Sequence, residues 1–327
     1  FFSANIGYQA IDRWGHWASG SSKFTVQQVV DAPPGFYYSL KVTSLANTTH
    51  GVSDGYTISQ RVEAQNLYQA SLGTANAKNL VVSFYVKSTA TGTFSFYAMG
   101  YGLAESFVQN FTINSANTWE YKTINIPAPT SGTYSNTPSN YGLELGFTLG
   151  AGSNWQTSTL GSWQNSAFQI SSTTATNVLG AASRTLQLTG VQLEVGTKAT
   201  PFEHRKFSDE LFKCQRYYCK INGGGNTAAF GMGMARGTDH TRTFIKFPTT
   251  MRAKPTAVET SGTAADYRIL HRTSIDNSNN VPSFTNTAST EGATITFEIS
   301  SGTMTQGDCV LCASTNADAF LAFSSEI

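Results

Sequence analysis

Hydrolysis of a glycosidic bond needs two carboxyl groups held roughly 5 to 9 Å apart across it. The first 200 residues hold eight: Asp12, Asp31, Asp54, Glu63, Glu105, Glu120, Glu144 and Glu194. Their spacing pairs none of them. Glu120 in WEYKT and Glu144 in YGLELGF fall on strand-like runs, where a carboxylate reads as part of a solvated face. The histidines, His16, His50, His204, His240 and His271, are dispersed, with no HExxH or HxH spacing to set two imidazoles on one metal. A nucleophile elbow, a phosphate-binding loop and a dinucleotide fingerprint are all missing. No residue is therefore assigned as catalytic or as a metal ligand, and the chain reads as a non-enzyme.

Cys214, Cys219, Cys309 and Cys312 are spaced C-x4-C and C-x2-C. No histidine stands at a finger-like interval, and the second pair lies in the apolar run DCVLCAS, so buried free thiols are expected ahead of a disulfide or a zinc site.

Rings in polar surroundings carry the stronger signal. A sugar presents a face of C–H groups that stacks on an indole or phenol, while amide side chains grip its hydroxyls. Residues 127–165, rich in Gly, Ser, Thr and Asn, hold Tyr134, Tyr141, Trp155 and Trp163 beside Asn154 and Gln156. These six are the candidate glycan-binding residues; the same rings folded inward would instead anchor the loops. Asp12-Arg13-Trp14 with Trp17 reads as a first strand with Trp buried and Asp12 paired to Arg13. Gln60, Arg61 and Glu63, with Gln192 and Glu194, form polar groups that a structural calcium ion could use, without an assignable ligand set.

Composition agrees with a hydrogen-bonding surface. Charged residues are 13% of the chain, against about 25% in an average soluble protein. The formal charge of +1 supplies no field to gather nucleic acid or anionic lipid. No apolar run approaches the ~20 residues that span a bilayer.

The elements that must position these residues are strands. Apolar alternation in short runs divided by turn-formers gives at least eight up to about residue 200, spaced as in a two-sheet sandwich: FYYSLKVTSL, YTISQRVEA, NLVVSFYVKST, TGTFSFYAMG, SFVQNFTI, WEYKTINIP, YGLELGFTLG and TLQLTGVQLEV. A helix is expected from Ser208, as N-cap, to about Lys220, with Asp209 and Glu210 opposing its dipole. Beyond Gly223-Gly224-Gly225, about six more strands follow. The fold class is all-β: an N-terminal jelly-roll β-sandwich over residues 1–200, a linker with one short helix over 201–222, and a smaller C-terminal β-sandwich over 223–327. No heptads or fixed-period repeats occur.

Six blocks in order, YQAIDRW, ISQRVEAQN, LVVSFYVKSTATGTFSF, FTINSANTWEYKTINIPAPTSGTY, GLELGFTLGAGSNWQTSTLGSW and LTGVQLEVGTKATPFEHRKFSDELFKCQRYY, resemble the carbohydrate-binding-like jelly roll of bacteriophage tail-fibre and virion-surface proteins. FPTTMRAKPTAV, residues 247–258, is similar to the domain that commonly follows it. The resemblance implies a virion location on a tail fibre or the capsid surface, a homotrimer, other virion proteins as partners and host cell-surface polysaccharide as ligand. It also implies a lead segment upstream of Phe1. A purely structural decoration or adaptor protein is the alternative, and a polysaccharide depolymerase ranks below both.

Overall fold

The computed structural model describes residues 7–11, 13–103, 105–135, 137–165, 168–272, 274–300 and 302–326. Asp12, and with it the expected Asp12–Arg13 pair, lies outside the described residues. The chain divides into two compact units, one reaching His204 and one running from Arg205 to Glu326.

The first unit holds β1 (Gly7–Ile11), β2 (Trp14–Ala18), β3 (Phe24–Val29), β4 (Ser39–Ser44), β5 (Gly55–Glu63), β6 (Leu80–Ser88), β7 (Gly92–Gly100), β8 (Glu105–Ile113), β9 (Glu120–Ile126), β10 (Tyr141–Ala151), β11 (Gln156–Thr157), β12 (Trp163–Asn165), β13 (Ser171–Ser172) and β14 (Thr185–Val195). They form a seven-stranded sheet in the order β1-β2-β5-β10-β7-β8-β12 and a five-stranded sheet in the order β3-β4-β14-β6-β9. Apart from the short parallel pair β11–β13, every pairing is antiparallel.

A strand sends alternate side chains to opposite faces, and the apolar set of each strand lands on one of them. Leu80, Val82, Phe84 and Val86 of β6 meet Leu143, Leu145, Phe147 and Leu149 of β10 in a single core with Phe94, Phe96, Phe107 and Phe111. At its centre Phe84 stands edge-on to both Phe147 (4.9 Å) and Phe111 (5.2 Å). All eight strand runs expected in this region are present. The pattern did not reveal β3 or the two- and three-residue strands β11, β12 and β13, whose pairing is set by neighbours and not by their own periodicity.

The second unit contains α1 (Phe207–Gln215), β15 (Tyr218–Asn222), β16 (Ala229–Ala235), β17 (Thr241–Lys246), β18 (Glu259–Thr260), β19 (Tyr267–His271), β20 (Ser274–Asn277), β21 (Ser283–Ala288), β22 (Gly292–Thr296), β23 (Cys309–Ser314) and β24 (Phe320–Ser324). A seven-stranded sheet, β20-β19-β23-β16-β17-β22-β21, and a three-stranded sheet, β15-β24-β18, enclose a second core that includes Phe230, Ile245, Phe297, Leu321 and Phe323.

The helix differs from expectation at both ends. Lys206, not Ser208, is the N-cap, and the Ser208 hydroxyl donates to Asp209 Oδ1 without capping an amide. The helix stops at Gln215, because YCKIN turns to period two and pairs with β24, burying Cys219. The four cysteines are free thiols, but only Cys219 and Cys312 are buried; Cys309 is exposed and Cys214 half-buried where burial was expected. Cys309, at the start of β23, points outward while Val310 and Cys312 point in. Burial pushes the Cys219 and Cys312 thiols up to about 11.

The β8–β9 turn shows how a charge is spent on structure. Glu120 accepts bonds from the Asn114 and Ser115 amides at 2.8 and 2.9 Å and from Lys122 Nζ at 2.7 Å. Burial opposes ionisation, yet the Lys122 bond and the two amide bonds outweigh it and bring this carboxyl down to about 2. A depressed carboxyl stabilises the fold above its unfolded value, near 4.3, and that contribution disappears as pH falls toward the folded value. Denaturant titrations from pH 5 to pH 2 should lose roughly 2 kcal/mol from this site, and Glu120→Gln should flatten that part of the profile.

Candidate functional site

Closing the sandwich leaves each sheet with one outer face. On the seven-stranded sheet, residues 152–165 and 168–178 fold back over that face. Thr148 donates its hydroxyl to the Ile170 carbonyl, Ser95 Oγ accepts the Ser172 amide at 2.9 Å, and Ser106 Oγ accepts the Gln169 amide at 3.2 Å. Tyr97, Met99, Val108, Ala151 and Ile170 form a satellite core there, with Trp17, Trp155 and Phe168 against it. Tyr97 lies so flat across Gly146 that a Cβ on that glycine would sit 2.2 Å from the ring.

Of the candidate rings, Trp155 is drawn into this cover, whereas Trp163 and Tyr134 pack against the main core. Trp155 packs edge-on to Trp17 (5.6 Å) and Phe168 (4.9 Å) and donates its indole N–H to the Ser53 carbonyl at 2.7 Å. Trp163 donates to the Pro127 carbonyl at 2.7 Å and meets Phe107 and Tyr134 at 5.8 and 6.1 Å. Burial, then the nearby Glu105 carboxylate, push the Tyr134 phenol far up. Tyr141 lies elsewhere, with Arg61 4.5 Å over its ring and Tyr101 at 5.2 Å. Arg61 in turn bridges to Glu144 at 2.9 Å. The structure thus brings Trp163 and Tyr134 together and holds Trp155 and Tyr141 apart from them.

Asn154 Nδ2 donates to Ser53 Oγ at 2.9 Å, and Gln156 Nε2 to the Ala151 carbonyl at 2.7 Å. Gln156 also lines a polar cleft of about 530 Å³ with Asn47, Thr48, His50, Ser153 and Asn177. The cleft's lining has neither an aromatic ring other than the His50 imidazole nor a carboxylate.

The outer face of the five-stranded sheet is partly covered, with Phe36 5.5 Å from the Tyr85 ring and 5.0 Å from Phe202, while Tyr121 on the edge strand stays exposed. Pairing of β6 with β9 sets Tyr85 directly opposite Tyr121, their rings 5.0 Å apart, and pairs Val86 with Glu120, so that Lys87 stands beside Trp119. The Lys87 ammonium lies 5.2 Å from the Trp119 ring. Asp31 gathers the neighbouring polar groups, accepting from Lys87 Nζ at 2.5 Å, Gln187 Nε2 at 3.0 Å and Trp119 Nε1 at 3.4 Å. The Lys87 and Gln187 bonds hold the Asp31 carboxyl below its ordinary range against a small opposing effect of burial. Tyr121 is exposed and Tyr85 and Trp119 are half-buried. Three rings and an Asp31–Lys87 pair, braced from below by buried Gln187, therefore share one face, which is the equipment for stacking a sugar ring and bonding its hydroxyls.

Sequence reasoning passed over this face. WEYKT alternates Trp119, Tyr121 against Glu120, and NLVVSFYVKST sets Tyr85 and Lys87 on the same side; those two runs read together carried the signal. The polar residues weighed for calcium serve other ends: Gln60, Arg61 and Glu63 stand on β5, whereas Glu194 on β14 binds Thr200 and Gln192 accepts the Glu203 amide, fastening the chain that leaves the sheet. Among the described residues, no three His, Cys, Asp or Glu side chains gather as metal ligands.

No family model matches the chain. No curated protein matches its sequence. Among solved structures, the chain is distantly similar to carbohydrate-binding modules and to a phage tailspike domain. The bacteriophage CBA120 tailspike protein 4 enzymatically active domain aligns over 56% of this chain at 13% identity and TM-score 0.32, and the aligned part is 19% of that domain's length. A family 11 carbohydrate-binding module from Clostridium thermocellum, in complex with a β-1,3-1,4-mixed-linked tetrasaccharide, aligns over 60% of this chain and 97% of its own at 14% identity and TM-score 0.30. TmCBM61, in complex with β-1,4-galactotriose, aligns over 56% and 88% at 11% identity and TM-score 0.30.

Because its ring is an anchor, Trp155→Ala should lower unfolding free energy by about 2 to 4 kcal/mol, measured by denaturant titration.

Proposed function

We propose that this chain is a non-catalytic glycan-binding protein of a phage virion surface, engaging host cell-surface polysaccharide through its N-terminal sandwich. The observation that carries the reading is the uncovered edge of the five-stranded sheet's outer face, where exposed Tyr121 and half-buried Trp119 and Tyr85 lie beside Asp31 and Lys87. Rings supply stacking area and the polar pair supplies directional bonds to hydroxyls, with no second carboxylate in that pair for acid–base work. The virion location rests on the ordered sequence blocks that resemble fibre proteins. Repetition of the chain on a particle would turn weak single sites into firm attachment through effective concentration.

The packing roles of Trp155 and Trp163 favour a second reading, in which the protein is a structural decoration or adaptor whose loops are braced for contact with virion neighbours. The two readings separate in one experiment. The whole chain is screened against an array of bacterial surface polysaccharides, and binding to any hit is then titrated calorimetrically. Tyr121→Ala should weaken binding by about tenfold or more, while Gln156→Ala in the polar cleft should leave it unchanged. Binding lost with Gln156→Ala and kept with Tyr121→Ala would move the site to the cleft. An array without hits would favour the scaffold.

A further inference from the structure

The seven-stranded sheet of the second unit carries apolar residues on both sides. Its inner residues, among them Ile245, Ile269, Ile295 and Val310, are buried in the core. On the outer side, Leu270 pairs with Ile275 and with Leu311, Leu311 pairs with Met232, and the Gly233–Thr243 pair sets Met232 beside Phe244. Ile275, Leu270, Leu311, Met232 and Phe244 thus form one row across five adjacent strands. Met232 is 71% exposed, Ile275 58% and Phe244 56%, with Met234 next to them at 46%. At about 4.8 Å between strands the row is roughly 20 Å long. With Met234 it presents on the order of 500 Å² of apolar surface, at the top of the range for the largest patch on a monomer.

The charge around this row has one sign. Arg268 on β19 and Lys246 on β17 stand to one side of it, and Arg242, directly opposite Met234, stands to the other. Each is two residues along its strand from the row, an offset of about 7 Å. None of the three is paired with a carboxylate among the described residues, whereas Arg61, Lys87 and Lys122 of the first unit all are. No outward position of the five strands is an Asp or Glu. The acids at the borders are engaged elsewhere: Asp276 is bonded to His271 and Thr303, Asp308 to Arg272, Glu291 to Thr250 and Glu298 to Asn280.

We infer that this face docks an acidic amphipathic α-helix of a partner protein, laid along the row and across the strands. Charge complementarity selects the partner. An apolar stripe bordered by unpaired cations on both sides calls for an apolar stripe bordered by carboxylates, and the same face of a second copy would bring cations to cations. Spacing selects the helix. The apolar stripe of a helix returns every 5.4 Å, close to the ~4.8 Å between strands, so about four turns set apolar side chains along the whole row. An extended strand on the same line would turn a side chain down only every ~6.8 Å. On a helix about 10 Å across, the residues flanking the stripe fall over the two margins, where Asp or Glu would meet Arg268 and Lys246 on one side and Arg242 on the other. The contact is a helix seated by its apolar face, with the charges fixing its register. A lipid surface fits less well, because apolar residues that enter among headgroups must reach past their charged neighbours, and here both rise from the same strands.

The whole chain is titrated with a fluorescent synthetic peptide of about 18 residues, long enough for four helical turns, whose Leu stripe is flanked by Glu. The same stripe flanked by Lys, and vesicles of phosphatidylglycerol, are the comparisons. The Glu-flanked peptide should bind, gain helical circular dichroism and lose affinity as NaCl rises, while the Lys-flanked peptide should bind at least tenfold more weakly. Met232→Glu, at an exposed position outside the core, should weaken binding about tenfold or more, with an unchanged melting temperature as the control for folding. Arg242→Glu should weaken the Glu-flanked peptide and strengthen the Lys-flanked one. Equal binding of the two peptides, binding of neither, or binding that Met232→Glu leaves intact would overturn the proposal. So would binding to the vesicles in place of the peptide, or self-association of the chain that Met232→Glu dissolves. Glycan binding at the first unit is read out separately and does not depend on the result.

Discussion

Two sheets closing on Phe84, Phe111 and Phe147 are the constraint from which the N-terminal unit follows. A strand has only two faces. Once Leu143, Leu145, Phe147 and Leu149 of β10 and Leu80, Val82, Phe84 and Val86 of β6 are committed inward, the direction of every intervening side chain is settled. Tyr97 and Thr148 must then face out of one sheet, and Tyr85, Lys87 and Gln187 out of the other. A slip of one residue in either register would exchange core for surface along the whole strand.

The two outer faces are used differently. On the larger sheet, Trp17, Trp155 and Phe168 secure residues 152–165 and 168–178 as a cover of the protein's own making. Loop aromatics there are consumed in holding chain to chain. On the smaller sheet Phe36 covers Tyr85 but Tyr121 stays exposed, and the polar groups beside it are held by one another, Asp31 joining Lys87, Gln187 and Trp119. A site assembled from strands needs little reorganisation when a ligand arrives, because the backbone ladder already fixes the spacing of its side chains.

Strand existence was legible because each run, such as LVVSFYVKS or YGLELGFTLG, repeats with period two over nine or more residues. What was not legible is which polar-flanked ring remains outside. Trp155 and Trp163 stand among Asn, Gln and Ser in sequence and still turn inward, because each indole finds a backbone carbonyl and a partner ring brought from far along the chain. Tyr121 stands in an ordinary strand run and remains exposed on the outer face, with Trp119 half-buried beside it against Asp31 and Lys87. The helix end at Gln215 was misplaced for a similar reason: YCKIN is equally compatible with a helix face until pairing with β24 decides it.

The most direct test of glycan recognition on the five-stranded sheet follows the indole N–H resonances during titration with a bound polysaccharide fragment. The chain has five tryptophans, so five such signals are available. The account predicts that the Trp119 signal shifts, since its N–H faces the Asp31 carboxylate, while those of Trp155 and Trp163 stay in place on the Ser53 and Pro127 carbonyls. Movement of the Trp155 and Trp163 signals with Trp119 unmoved would contradict it.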